Sequence, residues 1–298
     1  VRIKFITSQP DDFVTHELFN LEYRALKSLK HDRIVKVVDG GAGFDKESKR
    51  YYIAIEALKE TLEERLQRIG FVTHLPNLYQ LGKTLLEGIA YAHSNGIQHR
   101  DLKPSNIMFR SSEANDYNAV LIDFGIAKVA PAENRTNTVA AYHTPVFSPQ
   151  LLDQYDSFER DLYSAGMCLI QALSKEPLKG HAHALAAISA AESKGFSAKF
   201  AQVLRRSIGN EELKHEFKTV GDFQEAFEEA FYLQQGGLGK SGGAIQLVLK
   251  RAAHDALDDM ALRDGSDPRS NSSALATVYA NYRNSEDFAD NKLRLVLG

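Results

Sequence analysis

The chain has 298 residues, 43% hydrophobic and 25% charged, with a formal net charge of −3. That composition can bury one large core or two lobes and excludes an intrinsically disordered chain. It offers no broad positive field for a nucleic-acid backbone and no apolar run of about 18 residues to cross a bilayer, so neither nucleic acid nor a membrane span is expected. The single cysteine, Cys168, excludes an intrachain disulfide and a thiolate metal cluster, which points to a reducing, cytoplasmic compartment. The chain opens at Val1 without a basic-plus-apolar leader, and further residues are expected upstream.

Residues 1–7 read as a strand. Leu18, Leu21, Ala25 and Leu29 then recur at three- and four-residue spacing, with Leu26 widening the same face, which predicts a helix of roughly four turns. Residues 34–39 and 51–58 are β-branched and aromatic runs separated by a glycine- and charge-rich turn, as in neighbouring antiparallel strands. From Thr61 the period changes: Leu62 and Leu66, then Leu78, Leu81, Leu85, Ile89 and Ala92, mark a mostly helical region. Residues 96–99 and 119–123 are short strand-like pieces with polar ends, and the helical pattern resumes after Pro149. Beyond Leu233, residues 234–243 and 263–273 have linker composition and flank an apolar stripe of Ile245, Leu249, Ala252, Ala256, Leu257 and Met260. Gly239-Lys240-Ser241 is linker too, because the phosphate-loop rule needs a glycine where Gln234 stands.

The chemistry concentrates in His99-Arg100-Asp101-Leu102-Lys103-Pro104-Ser105-Asn106 and in Asp123-Phe124-Gly125. Phosphoryl transfer needs a carboxylate to orient the attacking hydroxyl and receive its proton, and a cation to balance charge on the moving group. Asp101 and Lys103 fit these roles. A carboxylate and an amide oxygen suit magnesium, a hard ion, and Asp123 with Asn106 fit there.

With these motifs the chain resembles the eukaryotic-type (Hanks-type) serine/threonine protein kinase family over residues 1–233. Val1-Arg2-Ile3-Lys4 resembles the third-strand V-A-I-K, and Glu22 falls where the family's regulatory helix carries its glutamate. The resemblance implies that Lys4 and Glu22 pair and orient the α- and β-phosphates. Residues 52–58 resemble the strand entering the hinge, with Ile55 as gatekeeper and Glu56 and Leu58 offering backbone groups to adenine. Asp161-Leu162-Tyr163-Ser164-Ala165-Gly166 is similar to the family helix whose aspartate braces the catalytic loop. The implied fold is α+β and bilobal: a partial, β-rich N-lobe over residues 1–58, lacking its first two strands here, and a larger helical C-lobe over 59–233. A glycine-rich linker and helical extension follow at 234–298.

The resemblance also implies ATP and Mg2+ as cofactors, a protein substrate with a Ser/Thr acceptor because Lys103 precedes Pro104, and an activation segment carrying Thr136, Thr138 and Thr144. Arg100 is positioned to clamp phosphate there, so self-phosphorylation at Thr136 or Thr138 is expected, while Thr144 resembles the substrate-loop threonine. His99, Arg100, Phe124, Gly125 and Asp161 take structural or regulatory roles. Two departures stand out: no glycine-rich loop precedes Lys4, and Ser148-Pro149-Gln150 replaces A-P-E. They leave a catalytically weak or inactive pseudokinase, acting as a binding or scaffold module, as the alternative. The tail is expected to fold onto the kinase domain or to bind another protein.

Overall fold

In the computed structural model, β1 (Arg2–Ile6) and β2 (Val37–Ala42) flank β3 (Tyr51–Ile55) in an antiparallel sheet of order β1-β3-β2. The structure describes residues 1–6, 13–42, 51–124, 146–148, 157–209 and 216–234. α1 (Phe13–Ser28) lies between β1 and β2 in the chain and buries Phe19, Glu22 and Leu26, with Phe19 stacked on Tyr51 at 4.8 Å. Those three positions are one helical face, offset from the expected stripe, of which Ala25 is half-buried and the side chains of Leu18 and Leu21 lie outside what the structure describes.

The second predicted strand begins later than its β-branched run suggests. Ile34 makes only a parallel bridge to Leu121, while Val35 N–H donates to Leu121 O at 2.9 Å and Leu121 N–H donates to Arg33 O at 2.8 Å. Residues 33–35 therefore tie the small lobe to the large one. The third strand ends at Ile55, ahead of the expected 58, because Glu56 and its followers leave the ladder to cross between the lobes.

The large lobe opens with β4 (Glu60–Thr61) and α2 (Leu62–Ile69). Thr61 caps α2 reciprocally: Glu64 N–H donates to Thr61 Oγ1 at 3.0 Å and Thr61 N–H donates to Glu64 Oε2 at 2.7 Å. α3 (Leu75–Ser94) buries Leu78, Leu81, Leu85, Ile89 and Ala92, the predicted stripe. A 3₁₀ turn (Pro104–Asn106), β5 (Ile107–Phe109) and β6 (Ala119–Leu121) follow, and β4, β5 and β6 form a second antiparallel sheet in that order.

α4 (Ser157–Leu173) is the core of this lobe, packed by α3, α5 (His181–Ser193) and α6 (Ala198–Ile208), and residues 161–170 are all buried. Each such leucine or isoleucine contributes about 1.5–3 kcal/mol through burial. Gly166 lets α6 approach closely, since a Cβ there would collide with the Ser207 hydroxyl.

α7 (Val220–Gln234) ends the described residues. The chain divides into two compact units, Val1–Phe227 and Glu228–Gly298, and in the second the described residues are 228–234. The apolar stripe at 245–260 lies outside them. No described helix is long and apolar enough to cross a membrane.

Candidate active site

Residues 96–99 do not form the expected strand, and the reason also builds the site. Asp161, 1% exposed at the start of α4, accepts hydrogen bonds from His99 N–H at 2.7 Å and Arg100 N–H at 2.8 Å, so amides that a strand would pair go to a carboxylate. His93 Nε2 lies 2.8 Å from the same carboxylate. Arg100 is thereby held at φ 66°, in the left-handed region a non-glycine residue occupies only at a cost. Asp123 has φ 59° as well. Both exceptions flank the candidate catalytic residues.

Between them, Lys103 Nζ lies 3.1 Å from Asp101 Oδ2, and Asn106 Nδ2 donates to Asp101 O at 2.7 Å and Asp101 Oδ2 at 3.2 Å. The Lys103 ammonium and the Asn106 amide thus both meet the Asp101 carboxylate. With its nitrogen turned to Asp101, Asn106 has its amide oxygen left to meet a cation. Ile122 N–H donates to Asn106 O at 3.1 Å, which sets Asp123 beside Asn106. Among the described residues no three acidic, histidine or cysteine side chains form a metal cage. One carboxylate and one amide oxygen fit magnesium, which takes most of its other ligands from water and phosphate.

Phe124 is fully buried against His99, with ring centroids 4.6 Å apart, and His99 Nε2 sits 3.0 Å from Ile122 O. Burial pushes the His99 imidazole below its ordinary range, against the pull of Asp161, Asp123 and Asp101. The ring is therefore neutral and acts as packing and a hydrogen-bond bridge between the two motifs.

A cavity of about 250 Å³ opens beside this loop, bringing Glu22 from α1, Ile55 from β3, Met108 from β5 and Asp123 to one space. Glu22 is 3% exposed, an unusual cost for a carboxylate that only decorates a helix. Lys4 lies in β1 opposite Ile53, and its side chain lies outside what the structure describes. Gly125, Thr136, Thr138, Thr144 and Gln150 also lie outside the described residues. The Glu56 N–H donates to Lys36 O at 2.9 Å, which leaves its carbonyl as the backbone group for a ligand. Its carboxylate points elsewhere and takes Arg110 Nε at 3.0 Å, Arg110 Nη2 at 2.8 Å and Lys36 N–H at 3.0 Å. Burial raises the Glu56 carboxyl, but the hydrogen bonds from Arg110 and Lys36 together hold it below its ordinary value. Leu58 is buried and makes no backbone hydrogen bond among the described residues.

The family model described as the protein kinase domain matches residues 1–233. The chain belongs to the protein kinase domain family. Among curated relatives, this kinase domain is 28% identical over 182 residues to cyclin-dependent kinase-like 2 of Rattus norvegicus, covering 60% of this chain and 34% of that protein. It is 27% identical over 218 residues to the serine/threonine-protein kinase PknJ of Mycobacterium tuberculosis, covering 68% of this chain and 36% of the relative. The chain thus spans about a third of the length of these two relatives. The crystal structure of the Mycobacterium tuberculosis PknI kinase domain superimposes with a TM-score of 0.52 at 20% identity, covering 76% of this chain and 85% of that one, which establishes the bilobal α+β kinase fold.

Three contributors to this kinase domain were not legible in its sequence. His93 shares the Asp161 carboxylate, Arg110 binds Glu56, and Arg2 Nη1 lies 3.5 Å from Met108 Sδ. Each partner is dozens of residues away. Only for His93 was a local signal present, a histidine six residues before His99 on a helix ending at the catalytic loop.

Proposed function

We propose that this kinase domain transfers the γ-phosphoryl group of ATP to a serine or threonine hydroxyl of a protein. The observation that carries this reading is the Asp101–Lys103–Asn106 cluster, held by Asp161 and set beside Asp123. Asp101 accepts the proton of the acceptor hydroxyl as its oxygen bonds to the γ-phosphorus. The bond from that phosphorus to the β–γ bridging oxygen breaks, and ADP leaves. Lys103 offsets negative charge on the transferring group, and its contact with Asp101 keeps both groups at one point in space. Asn106 Oδ1 and Asp123 would hold magnesium, which neutralises phosphate charge when bound. The Glu56 carbonyl and the Leu58 backbone face the base, and Glu22 with Lys4 orients the α- and β-phosphates. Serine or threonine is favoured over tyrosine by Lys103-Pro104 and by the likeness to PknJ. On this reading the kinase domain occupies residues 1–233, with 234–298 an appended extension, and Thr136 or Thr138 is the site of self-phosphorylation.

The test is transfer of labelled terminal phosphate from ATP and magnesium to a generic serine/threonine protein, compared with Asp101→Asn. Asp101→Asn is expected to lose at least ~100-fold in rate, the contribution of a positioned general base, while still binding ATP. Equal rates would overturn the assignment. A second reading, a pseudokinase that binds partners without transfer, is favoured by the contact of Arg2 with Met108 across the cleft. It predicts no transfer by the parent.

A further inference from the structure

Arg2 stands opposite Ile55 in the β1–β3 ladder, and the chain leaves the small sheet directly after Ile55. Met108 stands opposite Thr61 in the β4–β5 ladder, where the chain has entered the large lobe. The two residues therefore flank the crossing segment 56–59 from opposite lobes. Both line the cavity that holds Glu22 and Asp123, and Arg2 Nη1 donates to Met108 Sδ at 3.5 Å. A side chain from one wall thus touches the other wall, in the space where the base lies on the nucleotide-binding reading.

The contact is weak. A thioether is a poor acceptor, the Arg2 side chain is exposed, and this is its one hydrogen bond among the described residues. Arg2 can swing out and regain water, so the cleft is closed at low cost and can be opened by a ligand.

We propose that Arg2 is an affinity-determining residue of the nucleotide slot, closing it onto Met108 until an entering purine displaces it. This rests on the nucleotide-binding reading above. Because the obstruction lies on the base and not on the phosphates, it weakens ATP and adenosine by the same factor. A phosphate-binding arginine would instead favour ATP alone.

The test is calorimetric titration of the full chain with ATP plus magnesium and, separately, with adenosine, for the parent and Arg2→Ala. Arg2→Ala is expected to bind both about twofold to threefold more tightly, the scale of one weak hydrogen bond no longer displaced. Unchanged affinity for both ligands overturns the proposal while leaving the nucleotide reading intact. Weaker ATP binding with unchanged adenosine binding makes Arg2 a phosphate ligand and also overturns it. Silence of parent and variant towards both ligands overturns the nucleotide reading itself, and the proposal falls with it. If circular dichroism shows Arg2→Ala unfolded, Met108→Leu takes its place. It removes the sulfur acceptor with little change in volume and is expected to tighten both ligands, and no tightening again counts against the proposal.

Discussion

Asp161 divides one buried carboxylate among two backbone amides and an imidazole, and the catalytic loop hangs from it. Asp161→Ala leaves the amides of His99 and Arg100 without acceptors in a closed core. Unfolding in denaturant should show a loss of about 3 kcal/mol, together with loss of phosphoryl transfer. His99 makes a separate prediction. Its folded-state pKa is lowered by burial, so its contribution is present above the ordinary value near 6.5 and is lost as pH falls, when the unfolded chain takes up a proton the folded one refuses. Stability measured from about pH 7 down to about pH 5 should therefore decline, and His99→Phe should decline less. The loop residues were legible in the sequence because Asp101, Lys103 and Asn106 are contiguous and their chemistry demands proximity. Arg2, His93 and Arg110 were not, since each acts on a partner that only the fold brings near.

Helices announced themselves through period: the leucines at 78, 81 and 85 in α3 are all buried as spaced, whereas in α1 the buried face is that of Phe19, Glu22 and Leu26, and Ala25 of the expected stripe is half-buried. Strands of two or three residues have no period to show, so β4 and β5 were invisible although β5 carries Met108 to the cleft. Ile34 and Val35 have strand chemistry but pair with Leu121 of β6 across the lobes, which local composition cannot reveal. At this scale α4 offers the sharpest test. A methyl group added at Gly166 meets the Ser207 hydroxyl of α6, so Gly166→Ala should cost about 2 kcal/mol in a denaturant melt. Helix propensity alone would make the change stabilising, so a loss reports the collision, and adding Ser207→Gly should restore most of it. Thr61→Ala removes the reciprocal cap of α2 and should cost about 1 kcal/mol.

Across the whole domain the lobes are joined by more than covalent chain. Arg110 follows β5 in the large lobe, grips the Glu56 carboxylate with two nitrogens, and donates through Nη1 to Asp32 O at 2.6 Å beyond α1. The pair is partly solvated, so its thermodynamic weight is modest, about 0.5 kcal/mol, but it ties the crossing segment to the large lobe. Arg110→Ala should speed amide exchange at residues 32–36 and 56–60 more than in α4. Glu56 and Glu60 both titrate below the ordinary carboxylate value, Glu60 through its hydrogen bonds to Arg68 and then Arg65. Their contribution is present above about pH 4.3 and disappears as acid titrates them. Cys168 sits in the middle of α4, fully buried, its thiol pushed well above the ordinary range by that burial. As the chain's one sulfhydryl, it makes the molecule its own stopwatch: an alkylating reagent can mark it only when the central helix is laid open. A single mass increment per molecule then counts how many have opened, and tightening of the cleft by nucleotide can be timed at a distance from the cleft itself.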